Sequence, residues 1–467
     1  MTHFRISAHG VARGDVSDSR MKFSYFCCLC QRGAVLFGLP HHWEGLGAAL
    51  LMGCGGSKPE AEGEAKKDER STVARVSKYI EENEEDLGSG PLSKADIAAR
   101  IIGSKEPEHF ELGTTGFSLR YACMSQRGYY PEDLYKANQD RYLALPKPTG
   151  RSDEIILGVF DGHGNEGDQC SNFVRKMMAI ELDKMCKREK RDFPKAYQQT
   201  FKIIDDLMHQ AEDFDDSYSG TTAITAVFRG LDLHVANIGD SRAIVGERRG
   251  NRVIAYTLSV DQTPYRKDER ERIKASGGII KTKMMAQGQK SYKEGWEDLT
   301  LGTDLDGTGD PPRVYAPRSN DWPGCAFTRS MGDALGERYG VIPEAELLHK
   351  TVTERDQFVV LASDGVWEFI TNQSVADIAM RFTDPVDACK QMISEAYQLW
   401  LQFDVRVLAS LRKRIPPSPP RRPPRAPPAH LQDGTVGYPV HDTYAICVDE
   451  DCRCARTISH SSWLTLM

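Results

Sequence analysis

The chain has 467 residues, 40% of them hydrophobic and 27% charged, the balance of a globular protein able to bury a core. Sixty Lys and Arg against 67 Asp and Glu leave a formal charge of -7, which argues against a dedicated nucleic-acid binder. Twelve cysteines are too sparse for a disulfide scaffold, and no stretch reaches 18 uninterrupted apolar residues, so neither a secreted mini-scaffold nor a spanning helix is expected. The expected setting is reducing and cytoplasmic, and the expected state is monomeric.

Residues 1–51 show no period of 2 or 3.6. Their cysteine cluster, Cys27, Cys28 and Cys30, has no second pair at zinc-site spacing, so the segment reads as a disordered or mis-assigned extension. Met52-Gly53-Cys54-Gly55-Gly56-Ser57 then matches the N-myristoylation pattern. Acylation needs a free amine on Gly53, hence a translation start at Met52, and a palmitoyl group on Cys54 would add the second membrane signal. Residues 52–108 are expected to be a polar arm, with 59–70 unstructured.

From 109 onward short β-rich runs alternate with Gly/Asp turns and helical stretches, which predicts an α+β domain spanning 109–449. Strands are expected at 155–160, 223–228, 231–236 and 358–362. Helices are expected at 167–188, 196–213, 265–276, 372–381 and 385–402. The stretch 281–323 is helix-poor and rich in Gly and Pro, as a flap beside a site would be. Residues 407–440 break the texture as an insert. Within it, eight prolines between Pro416 and Pro428, with Arg421, Arg422 and Arg425, predict solvated polyproline II. A last strand is expected at 444–448, and 450–467 shows no readable pattern.

The chemistry concentrates where apolar runs end in an acid. Val159-Phe160-Asp161-Gly162-His163-Gly164 places a hard-metal ligand at a strand end, beside a histidine able to pass a proton to a leaving oxygen. The pattern recurs at Ile238-Gly239-Asp240, Ala362-Ser363-Asp364-Gly365 and Met331-Gly332-Asp333, and Asn138-Gln139-Asp140 precedes the first core strand. Carboxylates buried together repel unless cations bind them. Two ions about 4 Å apart would resolve that and suit hydrolysis of a phosphoryl group.

These strings, in order, resemble the metal-dependent protein serine/threonine phosphatases of type 2C. The matches are Gln126-Arg127-Gly128 with Asn138-Gln139-Asp140; Asp161-Gly162-His163-Gly164; Ser219-Gly220-Thr221-Thr222-Ala223; Ala236-Asn237-Ile238-Gly239-Asp240-Ser241-Arg242; Leu258-Ser259-Val260-Asp261-Gln262-Thr263-Pro264; Thr328-Arg329-Ser330-Met331-Gly332-Asp333; and Leu361-Ala362-Ser363-Asp364-Gly365-Val366-Trp367. The Gln126-Arg127-Gly128-Tyr129-Tyr130-Pro131 wording is similar to a plant and protist branch. The resemblance implies a four-layer α/β/β/α sandwich, two antiparallel sheets between helices, with a binuclear metal cleft at one end.

It further implies Mn²⁺ or Mg²⁺, two ions with a weaker third. Asp161 would bridge the pair, the Gly162 carbonyl would bind one ion, Asp364 would hold the second, Asp240 the third, and Asp140 a water among them. His163 matches the general acid. Arg127 is the expected phosphate-binding residue, with Lys136 its rival. Asp333 lies near the centre, and Ser219 to Thr222 have a packing role. The family's last metal aspartate falls at His441-Asp442, where an ungapped alignment gives His441 and a one-residue slip gives Asp442. The expected substrates are phosphorylated proteins. The competing expectation is an inactive phosphatase fold serving as a regulatory or interaction module at a membrane.

Overall fold

Strands that are apolar at every position need cover on both faces, and these sequences find it between a second sheet and a layer of helices. The computed structural model describes residues 61–83, 92–130, 135–190, 192–289, 310–414, 443–449 and 462–465, and all of them belong to one compact unit. The principal strands are β1 (Phe117–Gln126), β2 (Arg141–Pro146), β3 (Glu154–Phe160), β4 (Ala223–Arg229), β5 (Asp232–Ile238), β6 (Arg242–Arg249), β7 (Arg252–Thr257), β8 (Glu346–Thr351), β9 (Asp356–Ala362) and β10 (Thr443–Asp449). The principal helices are α1 (Ala61–Glu82), α2 (Gly167–Glu189), α3 (Phe193–Met208), α4 (Asn372–Ala379) and α5 (Pro385–Arg414).

One sheet runs β8-β5-β4-β3-β2, the other β1-β10-β9-β6-β7, with short strands added outside β1. The strand period of two sorts each run between layers. Ile155, Leu157 and Val159 of β3 meet Val359 and Leu361 of β9 in the core between the sheets. Ile156 and Phe160 point the other way, onto Val174 and Met178 of α2 and Phe201 and Ile204 of α3. Phe358, Val360 and Ala362 of β9 pack on Val375 and Ile378 of α4 and Met392 and Ile393 of α5. The expected four-layer α/β/β/α arrangement is therefore present.

Several expectations about extent are corrected. The polar stretch expected to be unstructured is helical from Ala61, in keeping with its many Ala, Glu, Lys and Arg. Val76 of α1 is buried, with Tyr79 and Ile80 packed beside it against α2, and Thr72 donates to Asp183 at 2.8 Å. Ile102–Gly103 also pairs with β1, so the domain body begins before 109. Helix α5 continues past 402 to Arg414, because no glycine or proline interrupts the chain before Pro416. Ser462–Thr465 pairs in parallel with Phe117–Arg120, in the tail that shows no period. The last strand does form, and it is central: β10 lies between β1 and β9, with Thr443 opposite Gln126 and Ala445 opposite Ala362. Residues 1–51, Gly53, Cys54, the proline-rich run 415–428, His441 and Asp442 lie outside the described residues. Among the described residues, no helix is long and apolar enough to cross a membrane.

The stretch expected as a flap contains a three-stranded sheet, Ile279–Lys281, Arg313–Tyr315 and Pro323–Cys325. Its neighbour, helix Lys267–Ala275, is tied to the loop that follows through Glu269, which is 1% exposed. Burial alone would raise the Glu269 carboxyl. Arg272, Arg329 and the Thr328 hydroxyl outweigh burial and hold it at about 2, below its ordinary 4.5. A lowered folded-state pKa stabilises above the unfolded value and is lost as pH falls through the folded one. Glu269→Gln should therefore lower stability by about 3 kcal/mol at neutral pH, since it leaves the half-buried guanidiniums of Arg272 and Arg329 without their charge partner. The gap to wild type should shrink as pH drops from 4.5 toward 2. Thermal unfolding across pH checks this, and a pH-independent gap would refute it.

Candidate active site

The connections that end the strands gather the acids at one end of the sandwich. Arg141 pairs with Phe160, so Asp140, just before β2, meets Asp161, just after β3. Arg242 pairs with Ala362, which sets the β5–β6 turn carrying Asp240 beside the β9 end carrying Asp364. The Asp161 carboxyl is within hydrogen-bonding reach of both Asp140 and Asp364. The Ser363 hydroxyl donates to Asp140 Oδ2 at 3.1 Å. Asp161 is buried, and Asp240 and Asp364 are half-buried.

Crowding shows in their protonation. Burial first, then the charges of Asp140, Asp364 and Asp240, push Asp161 well above the usual carboxylate range. Burial, then Asp364 and Asp261, raise Asp240. Burial also raises Asp364. Carboxylates pressed together in this way fit divalent cations placed among them, and an all-oxygen donor set suits a hard ion.

Three short segments brace this end: Gly162–His163 pairs with Gly220–Thr221, which pairs with Met331–Gly332. The Asp161 N–H donates to Thr222 Oγ1 at 3.1 Å, and that hydroxyl lies 2.7 Å from Ser241 Oγ. Thr222 thus does more than pack, since it fixes the backbone on which Asp161 stands. Gly162 is wedged in: a Cβ there would lie 2.1 Å from the Gly167 carbonyl oxygen and 2.5 Å from that of Gln139. His163 Nε2 sits 2.5 Å from Asp333 Oδ2, and its ring lies 4.4 Å from Phe327.

Asp161, His163 and Asp240 line a cavity of about 190 Å³. Two cations line it as well, Lys136 and Arg313. Arg127 does not. It is buried, with its guanidinium 5.9 Å from the centre of the Tyr130 ring, whereas Lys136 lies 4.1 Å from the same ring and reaches the wall. Of the two phosphate-binding residues expected, the rival is the one at the pocket. In the sequence, only the flap-like texture around Arg313 gives a sign of it. Its Nη1 donates to the Gly324 carbonyl at 2.9 Å, which holds it on the flap sheet. In the sequence Asp261 stands out only as part of the 258–264 motif. It receives a two-pronged bond from Arg242, at 2.7 and 2.5 Å, and its charge helps raise both Asp240 and Asp364.

Two other acidic groups come within metal-ligand spacing, Asp205 with His209 and Glu337, and Asp268 with Glu269 and Glu346. Arg266, Arg272 and Arg329 already neutralise the second. His209 plays that part in the first, bonded to Asp216 at 2.6 Å and lying 3.3 Å from Asp205.

Comparison with known proteins agrees with this geometry. The family model "Protein phosphatase 2C" matches residues 134–399. A "Probable protein phosphatase 2C 35" of Arabidopsis thaliana is 38% identical over 330 residues, covering 71% of this chain and 92% of that protein. A "Probable protein phosphatase 2C 64" of Oryza sativa subsp. japonica is 34% identical, covering 56% of this chain and 58% of that one. Among solved structures, a serine-threonine phosphatase 2C from Toxoplasma gondii superposes with a TM-score of 0.50 at 18% identity, over 75% of this chain and 99% of its own, a likeness of fold. The chain belongs to the protein phosphatase 2C family, the metal-dependent protein serine/threonine phosphatases.

Proposed function

We propose that this chain hydrolyses phosphoserine and phosphothreonine in proteins at a binuclear Mn²⁺ or Mg²⁺ centre. The observation that carries the reading is the convergence of Asp161, Asp240 and His163 on a cavity that two cations also line, with Asp140 and Asp364 crowded against Asp161. Asp161, the Gly162 carbonyl and Asp364 would hold the ion pair, Asp240 a weaker third ion, and Asp442, one residue before β10, would complete the set. Such ions, when bound, activate water and neutralise phosphoryl oxygens.

The protein's own groups do the rest. Lys136 and Arg313 draw the phosphoryl group in and hold its oxygens, an arginine by its fork and a lysine as a point charge. Asp140, at 0% exposure beside Asp161, orients water at the acid cluster. His163 gives a proton to the serine or threonine oxygen as the P–O bond breaks, so that it leaves as an alcohol. A catalytically inactive fold has no need to hold four repelling carboxylates together beside a histidine, and this favours the enzyme over the interaction module.

Turnover of a phosphoserine peptide by the full chain tests the reading. Activity should vanish after chelation and return with Mn²⁺ along a curve that needs more than one ion. Full turnover in excess chelator would overturn it.

A further inference from the structure

The proton donor needs its own support, and the loop carrying Asp333 is built to give it. Asp333 sits in the left-handed region, φ 52 and ψ 44, an unfavourable conformation for a residue with a side chain. The chain holds it there by specific bonds. The Asp333 N–H donates to the Ser219 carbonyl at 2.9 Å, and the Gly332 N–H donates to Asp205 Oδ1 at 2.8 Å. The facing residue is Gly220, where a Cβ would lie 2.6 Å from Asp333 Oδ2. These arrangements deliver one product: a carboxylate oxygen 2.5 Å from His163 Nε2, in a pair whose side chains are 19% and 4% exposed.

We propose that Asp333 is the positioning residue of the proton donor, and that it assigns the two ring nitrogens of His163 different tasks. The inference rests on the phosphatase reading above. An ionised carboxylate only accepts, so the nitrogen facing it must carry a proton. Nε2–H is thereby fixed on Asp333, and Nδ1 is the nitrogen that serves the substrate. As water oxygen bonds to phosphorus and the P–O bond breaks, the bonding pair stays on the leaving oxygen. That oxygen takes the proton from Nδ1. The ring is left neutral as the Nε2–H tautomer, the one Asp333 stabilises. The attacking water yields one proton to solvent, and the ring regains its own proton from solvent before the next turnover. Phosphate and the free alcohol are the products.

The test uses two substrates in the Mn²⁺-loaded full chain. A serine oxygen leaves badly unless protonated, whereas p-nitrophenolate leaves readily as the anion. Asp333→Asn can turn its amide N–H toward Nε2 and favour the wrong tautomer. It is expected to lower kcat on a phosphoserine peptide by about 10²-fold, the scale of general-acid assistance, with KM little changed. The loss on p-nitrophenyl phosphate should be at least about tenfold smaller, because that leaving group needs little of the same assistance. In His163→Gln the further change Asp333→Asn should cost almost nothing, since the two residues act as one unit. Equal losses on both substrates, or losses that multiply in the double variant, would overturn the proposal while leaving the phosphatase reading intact. A wild type that turns over neither substrate with Mn²⁺ would instead remove the reading beneath it. Should Asp333→Asn fail to fold, the ring nitrogen resonances of unmutated His163, assigned by their absence in His163→Gln, decide: a neutral ring protonated at Nδ1 alone refutes it.

Discussion

A chain ending at Arg414 is expected not to fold. It lacks β10, which pairs with β1 across seven positions and with β9 across three. β10 is interior to its sheet, so its loss splits the sheet and leaves facing backbone groups of β1 and β9 without ladder partners. At about 1 kcal/mol for each net hydrogen bond, the ladder alone rivals the roughly 5–15 kcal/mol that holds a domain together. The sheet-to-helix core containing Ala122, Met124, Val360 and Ala362 flanks the same gap. Circular dichroism and thermal unfolding of the truncated chain should show no cooperative transition. A chain that lacks only 416–428 and keeps 443–449 should retain both transition and turnover. A well-folded truncation would mean that β10 is dispensable, and that the sheet can close between β1 and β9 without it.

The site was legible where apolar periodicity ended in an acid. Asp161, Asp240 and Asp364 each follow a run with no other explanation, and His163 comes with the first of them. What was hidden depends on pairings distant in sequence or on backbone conformation. The contact of Asp333 with His163 spans 170 positions and exists because one residue adopts a left-handed conformation, which no side-chain pattern announces. Arg313 enters from a flap strand of three residues, too short for alternation to be read. Lys136 and Arg127 are both basic and nine positions apart; only the course of the chain puts one at the wall and the other under Tyr130. The fold shows the same division. β3 and β9 were legible because they are buried on both faces. Helix α1 was not, because its polar first half hides the spacing of Thr72, Val76, Tyr79 and Ile80. The extension of α5 to Arg414 was masked by the prolines that follow it.

Gly162→Ala should cripple turnover while leaving the fold in place. Gly162 is flanked in sequence by Asp161 and His163, the residues proposed above to hold metal and to donate the proton, and it pairs with Thr221 in the small bracing sheet. The atoms a methyl group would meet, the carbonyl oxygens of Gly167 and Gln139, at 2.1 and 2.5 Å, are both backbone, so no side chain can swing aside. Gly167 opens α2 and Gln139 adjoins Asp140. Relief must therefore shift Asp161, His163 or Asp140 relative to one another. A displacement near 1 Å in such a constellation costs about 10²-fold in rate, so kcat/KM on a phosphopeptide should fall by at least that factor. The overpacking itself should cost only about 1–3 kcal/mol of stability. Gly250→Ala is the control: it lies in the β6–β7 turn at φ +62 with nothing within 4 Å of a built Cβ. It should lower stability slightly and leave kcat/KM unchanged. If both variants turn over like wild type, the acids and His163 do not depend on the tight backbone contact at Gly162, and the reading of the site as a rigidly held constellation fails.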